Sequence, residues 1–112
     1  MKVKHLIIDA NTISDKINSK EEIKNILYEL ADLIKMRILL KPQVIEGTVR
    51  PGITGIVIVE ESHIAIHTFT ITNSINIDVF SCKEFDPDKV IDYLKNKLEM
   101  EDIKVSIIQR EI

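Results

Sequence analysis

The chain has 112 residues and a formal net charge of −3, with 45% hydrophobic and 29% charged residues. This composition is typical of a single globular domain over residues 1–112 and not of a disordered segment. No run of lysine or arginine provides the clustered positive charge that nucleic-acid binding needs. The lone cysteine, Cys82, excludes an internal disulfide, and no stretch resembles a signal peptide or membrane span, so we expect a cytoplasmic protein without membrane association.

Apolar periodicity in the first half predicts one strand, one helix and one edge strand. Residues 3–8 read as a strand and the polar residues 11–18 as a connection. Ser19 can cap a helix, with the glutamate three residues on completing a capping box. The helix then carries an apolar stripe at spacings of three and four, comprising Ile23, Ile26, Leu27, Leu30, Leu33 and Ile34. Pro42, inside the apolar residues 36–45, confines that strand to an edge or a bulge.

The second half predicts four more strands and a second helix. Asn73 is the expected positive-φ residue of a polar turn. Asp86 caps a helix whose first position is Pro87, and the buried stripe of that helix comprises Val90, Ile91, Leu94 and Leu98. Alternating apolar residues place the strands at 56–59, 64–69, 75–79 and 103–107.

The predicted order is therefore β-α-β-β-β-β-α-β, which is typical of an α+β fold. Each helix has one apolar stripe that must be buried. We expect a two-layer sandwich, in which both helices cover one face of a largely antiparallel sheet.

The central pair of strands meets at a polar segment, residues 60–63, with the sequence Glu-Glu-Ser-His. A tight hairpin turn usually contains glycine or asparagine, and this segment has neither glycine, proline nor asparagine. Its acid, hydroxyl and imidazole groups indicate a position kept for chemistry. A polar loop tip is the alternative interpretation.

Three chemical interpretations remain open from spacing alone. Ser62 could be a nucleophile with His67 as its base, although no Gly-x-Ser-x-Gly motif surrounds it. His63, His67 and Cys82 could bind zinc, but their spacing matches no recognised zinc pattern, and we predict no metal. The third interpretation is structural, with His67 hydrogen-bonded in the core and Cys82 a small buried hydrophobe. Spacing by itself favours this structural interpretation.

Four short motifs favour a catalytic interpretation over the structural one. They are Gly52-Ile53-Thr54-Gly55, Glu61-Ser62-His63, Ile66-His67-Thr68 and Asp78-Val79-Phe80-Ser81-Cys82. In these motifs and in their spacing, the chain resembles the prokaryotic S-adenosylmethionine decarboxylase proenzyme family. The resemblance extends from about residue 51 to the last strand. In the first half it rests on element order, with a histidine and an acid of the first strand at His5 and Asp9.

The resemblance implies a self-processing enzyme with a pyruvoyl group derived from Ser62. The Ser62 hydroxyl would attack the Glu61 carbonyl to form an ester, and β-elimination would then cut the chain between residues 61 and 62. The dehydroalanine left behind would hydrolyse to the pyruvoyl group. That group would form a Schiff base with the substrate amine and act as an electron sink, as a bound pyridoxal cofactor does elsewhere.

The same resemblance assigns roles to three other side chains. His67 and the hydroxyl of Thr54 would transfer protons during processing. Cys82 would protonate the α-carbon after carbon dioxide leaves, and a free thiol is mostly protonated at neutral pH. Because Ser62 and His67 differ by an odd number, they would face opposite sides of one regular strand. We therefore expect Ser62 in the connection, or a bulge between the two residues.

The substrate-facing positions depart from the family pattern. Relatives follow the His-Thr pair with Trp-Pro-Glu, where this chain has Phe69, Thr70 and Ile71, and they carry an aromatic residue near Thr48. Phe69 can still stack on a purine. Asp78 could face the site and pair with a cationic substrate.

The resemblance leaves three functions to weigh. S-adenosylmethionine decarboxylation for polyamine (spermidine) synthesis is the first expectation, and arginine or ornithine decarboxylation is the alternative small-molecule reaction. An unprocessed paralogue acting as a binding or regulatory subunit is a third possibility. The resemblance also implies a homodimer that pairs through its sheets, with the site near the two-fold interface.

Overall fold

The structure is a computed structural model that describes residues 1–112 and contains six strands and two α-helices in the predicted order. The helices are α1 (Lys20–Leu33) and α2 (Pro87–Leu98). The strands are β1 (Lys2–Thr12), β2 (Ile38–Glu46), β3 (Ile53–Val59), β4 (Ser62–Phe69), β5 (Ser74–Ser81) and β6 (Met100–Glu111). A short 3-10 helix, Asp15–Asn18, occupies part of the segment expected to be an irregular connection.

All six strands form one sheet in the order β2-β3-β4-β5-β1-β6, and every neighbouring pair is antiparallel. The predicted α+β class and two-layer arrangement are confirmed. Alternate strand residues and the apolar helix stripes form one buried core. Its largest fully buried side chains are Leu6, Ile8, Ile17, Ile23, Ile26, Leu27, Leu30, Ile64, Ile66, Ile75, Ile77 and Leu94.

Both predicted helix caps form, because their side chains satisfy otherwise free N–H groups. The N–H of Glu22 donates to Ser19 Oγ at 3.2 Å, and that of Asp88 donates to Asp86 Oδ1 at 2.9 Å. The reciprocal half of the capping box is absent. The Ser19 N–H instead donates to the carbonyl of Lys16, in a 3-10 helix that the sequence pattern did not predict.

The two helices contact each other on the outer surface through a hydrogen bond and an ion pair. The Tyr93 hydroxyl of α2 donates to a carboxylate oxygen of Glu29 on α1, and Lys97 Nζ lies 3.8 Å from the other oxygen. Burial and this hydrogen bond raise the pKa of Tyr93, so the hydroxyl stays protonated and remains a donor. No helix of the chain is long and apolar enough to cross a membrane.

Strand β2 lies at one edge of the sheet, as the proline inside it predicted. Its pairing with β3 is interrupted on both sides of Leu40, and the second interruption contains Pro42. Asn73 has a φ of 50° in the turn before β5, also as predicted.

The helices cover only one face of the sheet and leave the other, here called the open face, without a second layer. The burial patterns of β3, β4 and β5 alternate between fully buried and more exposed residues. The open face carries apolar side chains on β3 and a mixture of polar and apolar side chains on the central strands. The central residues are His63, Ala65 and His67 on β4, Asn76, Asp78 and Phe80 on β5, and His5 and Ile7 on β1.

Candidate active site

A two-residue turn, Glu60-Glu61, joins β3 to β4 and places Ser62 directly opposite Val59. Glu61 adopts a φ of 55°, a conformation in which its Cβ is crowded against its own backbone. Four other non-glycine residues share this conformation, with φ values of 48° to 58°, so its position before Ser62 rather than the conformation itself is what distinguishes Glu61. The turn therefore forms without glycine or asparagine, and its strained residue immediately precedes Ser62.

Ser62 is the first residue of β4, and the pairing of β3 with β4 is regular over its whole length. The expectation that Ser62 lies in the connection, or that a bulge separates it from His67, is wrong. The two side chains instead follow strict alternation and point to opposite faces of the sheet. Ser62 lies on the buried side, with only 6% of its surface exposed.

The Ser62 hydroxyl is held by the chain segment that follows β5. Its Oγ accepts a hydrogen bond from the backbone N–H of Cys82 at 2.9 Å. The Cys82 thiol lies 3.5 Å from the carbonyl oxygen of Glu60 and 3.9 Å from Glu61 Oε1. The structure thus brings the predicted nucleophile, the predicted cleavage site and the predicted acid together at one end of the central hairpin.

His67 and Thr54 form a second group at the other end of the same hairpin. The register pairs them directly across β3 and β4, and Thr54 Oγ1 lies 3.0 Å from His67 Nδ1. The hydroxyl fixes the orientation of the imidazole ring and leaves Nε2 as the second site for a proton. His67 is exposed on the open face.

Each group lines its own cavity. The His67 cavity, of about 220 Å³, is lined by Thr54 and His67 and by the two predicted substrate-binding residues Thr48 and Phe69. The Ser62 cavity, of about 430 Å³, is lined by Glu61, Ser62 and His63 together with apolar side chains of β3, including Ile56 and Ile58. Arg50, which belongs to none of the sequence motifs, also lines the His67 cavity.

The two groups are too far apart to react with each other within one chain. Five residue steps along an extended strand separate Ser62 from His67, a distance of about 16 Å at the rise typical of strands. Their side chains also lie on opposite faces. Proton transfer between His67 and the Ser62 region of the same chain would need a group within about 3 Å, or one bridging water.

Asp78 lies in the middle of the open face and lines neither cavity. Its Oδ2 lies 3.8 Å from His5 Nε2, a nitrogen that is buried and has no hydrogen-bond partner. The neighbouring Phe80 ring stacks on His63, with ring centroids 5.1 Å apart, and Arg110 lies over the same ring at 5.5 Å. This polar cluster joins β1, β4, β5 and β6 across the centre of the open face.

No group of three or more histidine, cysteine, aspartate or glutamate side chains is placed to hold a metal ion. His63 and His67 do share the open face. The Cys82 thiol, however, lies beside the carbonyl of Glu60 at the turn. The third zinc ligand considered from the sequence is therefore directed elsewhere.

Sequence and structure comparisons relate this chain to decarboxylases. The family model described as S-adenosylmethionine decarboxylase matches residues 4–111. An S-adenosylmethionine decarboxylase proenzyme from Clostridium botulinum is 34% identical over 114 residues, covering 95% of this chain and 91% of the relative. A proenzyme of the same name from Thermococcus onnurineus is 33% identical, covering 96% of this chain and 77% of the relative.

A solved structure agrees with these sequence relatives. The crystal structure of the adenosylmethionine decarboxylase from Aquifex aeolicus has a TM-score of 0.81 and is 25% identical in sequence, covering 98% of this chain and 91% of its own. The chain belongs to the S-adenosylmethionine decarboxylase family.

Proposed function

We propose that this protein is a pyruvoyl-dependent decarboxylase of S-adenosylmethionine, made as a proenzyme that cuts itself between Glu61 and Ser62. The observation that carries the proposal is the position of Ser62, directly after a strained residue and hydrogen-bonded to the backbone of Cys82. The family of the chain supports the reaction class. Its place would be the cytoplasm, in the synthesis of polyamines such as spermidine.

The turn geometry favours self-cleavage at this peptide bond. Attack of Ser62 Oγ on the Glu61 carbonyl carbon requires that peptide group to leave its planar, hydrogen-bonded arrangement. Glu61, the residue before this bond, has a positive φ, so the backbone there already departs from the regular conformation of a strand. The Cys82 N–H donates a hydrogen bond to Ser62 Oγ, the attacking oxygen. The proton of the Ser62 hydroxyl is not used in this hydrogen bond, so a base can remove it.

Cys82 is well placed for the later protonation step. Its thiol lies at the end of the hairpin where the new amino terminus would form, beside Glu61. The pyruvoyl group, once made from Ser62, supplies the electron sink for loss of carbon dioxide. The thiol would then deliver a proton to the substrate's α-carbon.

We further propose that the complete site forms between two copies of the chain. Ser62 and His67 lie at opposite ends of β4, so a two-fold axis near Ala65 would place the β3–β4 turn of one copy, with its Glu61–Ser62 peptide bond, opposite the partner's His67. Contact of two open faces would join each Ser62 cavity to the partner's His67 cavity. Apolar side chains at the edge of this face, including Leu40, Ile45 and Ile58, are exposed in the single chain and would be covered.

The mass of the purified protein and the carbon dioxide that it releases test this function. Wild-type protein should separate into a fragment of residues 1–61 and a pyruvoyl-blocked fragment of residues 62–112, whereas Ser62→Ala should stay whole. S-adenosylmethionine should release carbon dioxide faster than arginine or ornithine at matched concentrations. A wild-type chain that stays intact after long incubation would instead indicate a non-catalytic binding subunit. Turnover of arginine or ornithine alone would reject S-adenosylmethionine and leave the pyruvoyl chemistry standing.

A further inference from the structure

The loop between β2 and β3 supplies the only permanent charge of the His67 cavity. Arg50, on this loop, lines the cavity together with Thr48 and with Phe69 at the end of β4. No aspartate or glutamate lines it. The cavity is therefore positively charged at neutral pH, whether or not His67 is protonated.

Backbone hydrogen bonds hold this loop against the end of β4. The N–H of Gly47 donates to the carbonyl of Gly52 at 2.9 Å, and the N–H of Thr70 donates to the carbonyl of Pro51 at 3.2 Å. The Ile53 N–H donates to Thr68 Oγ1 at 2.9 Å. Because the loop is fixed at both ends, the backbone of Arg50 has a defined position relative to Phe69, without the ordering cost of a free loop.

The guanidinium group of Arg50 is not used by the fold. It makes no ion pair, no side-chain hydrogen bond and no contact with an aromatic ring, in contrast to Arg110, which lies over Phe80. Arg50 and Phe69 also line a second depression of about 380 Å³, together with Pro51, Ile71 and Thr72. The two side chains thus form a shared wall, with one cationic plane and one aromatic ring free to contact a ligand.

We propose that Arg50 is a specificity-determining residue that selects substrates whose distal end is planar and uncharged, and rejects those whose distal end is cationic. This inference rests on the proposed function, because it takes the His67 cavity as the place of the substrate's distal group. A guanidinium plane stacks on the face of a heteroaromatic ring. A purine would fit between this plane and the Phe69 ring.

A basic amino acid would meet the opposite environment. Its distal ammonium or guanidinium group would lose water next to Arg50 and would find no carboxylate in the cavity to compensate. Asp78, the acid considered from the sequence, lies at the centre of the open face beside His5 and does not line this cavity. The charge of the cavity therefore acts against a cation at the distal end of the substrate. S-adenosylmethionine is also a cation, but its sulfonium lies between the amino acid and the nucleoside, and its distal purine is neutral.

Three variants of Arg50 test separately the positive charge and the planar shape of its guanidinium group. Arg50→Gln should raise KM for S-adenosylmethionine by about tenfold and leave kcat and the rate of self-cleavage nearly unchanged. Arg50→Lys keeps the charge and loses the plane, so it should raise KM similarly and still reject arginine. Arg50→Glu should increase kcat/KM for arginine and ornithine by about tenfold or more. Lys95→Gln, at an exposed position of α2, changes the net charge by the same amount as Arg50→Gln and serves as its control.

Binding of 5′-methylthioadenosine, measured by calorimetry, makes the test independent of turnover. This probe carries the purine without a charged amino acid, and its Kd should rise about tenfold in Arg50→Gln but not in Lys95→Gln. If the wild type decarboxylates S-adenosylmethionine and all three variants keep its KM and its rejection of arginine, the inference is overturned. The proposed function would then remain intact. A wild type without turnover would reject the function, and an equal nucleoside Kd in both proteins would reject the role of Arg50.

Discussion

Thr54 and His67 form the one side-chain pair that organises the His67 cavity, and this contact can be tested without removing the imidazole. Thr54→Val keeps the size of the side chain and removes the oxygen that lies 3.0 Å from His67 Nδ1. We expect self-cleavage to slow by about tenfold, because an unoriented imidazole is a poorer proton-transfer group. Thr54→Ser keeps the hydroxyl and should process at nearly the wild-type rate. Equal rates of fragment formation for Val and Ser, followed by mass spectrometry, would remove Thr54 from the mechanism.

Cys82 contributes two groups to the site, and a single substitution separates them. Its backbone N–H binds Ser62 Oγ, whereas its side chain carries the proton proposed for turnover. Cys82→Ala keeps the N–H, so the protein should still cut itself. Carbon dioxide release should fall by about 100-fold, the scale of a lost general acid, or give way to abortive transamination. Measurement of both fragments and of product amine decides this, and full activity in the alanine variant would make Cys82 a packing residue only.

At the scale of single elements, the β3–β4 hairpin decides how the candidate residues are distributed. Its two-residue turn pairs Val59 with Ser62, and the same register then pairs Thr54 with His67. The sequence did not reveal this turn, because glutamate rarely adopts the positive φ that Glu61 has. Once the turn is known, the pairing of Thr54 with His67 follows by counting along the two strands.

The loop before β3 depends on a close backbone approach that only glycine permits. A Cβ on Gly52 would lie 2.0 Å from the carbonyl oxygen of Thr68, whereas a Cβ on Gly55 would meet the ends of the Leu27 and Ile23 side chains at 2.9 and 3.0 Å. Side-chain ends can move and a paired backbone cannot. Gly52→Ala should therefore lower the free energy of unfolding by about 3 kcal/mol, and Gly55→Ala by no more than about 1.5 kcal/mol. Urea unfolding of both variants measures the difference, and equal losses would contradict the close approach at Gly52.

At the scale of the whole molecule, periodicity was sufficient to predict the fold but not the arrangement of the site. Element order, helix caps and the edge position of β2 follow from local patterns that each element satisfies by itself. Alternation also indicated that Ser62 and His67 face opposite sides of a regular strand. The expectation of a bulge came from placing Ser62 and His67 on the same side of the sheet. The resemblance to the family put the site near a two-fold interface, but the sequence of one chain does not state which copy supplies each residue.

The two-copy site can be tested by combining two inactive variants. In Ser62→Ala the chain keeps Thr54 and His67, and in His67→Ala it keeps Ser62 and Cys82. A hybrid dimer of the two would contain one site with both intact halves and one site with neither. Coexpression with different affinity tags should therefore yield cleavage of the His67→Ala chain only. With random pairing, activity should approach about one quarter of wild type, because half of the dimers are hybrids with one working site each. The control is a mixture of the two separately purified variants under conditions in which their dimers do not exchange chains. A coexpressed pair that remains uncleaved would show that each chain must supply its own Ser62 and His67.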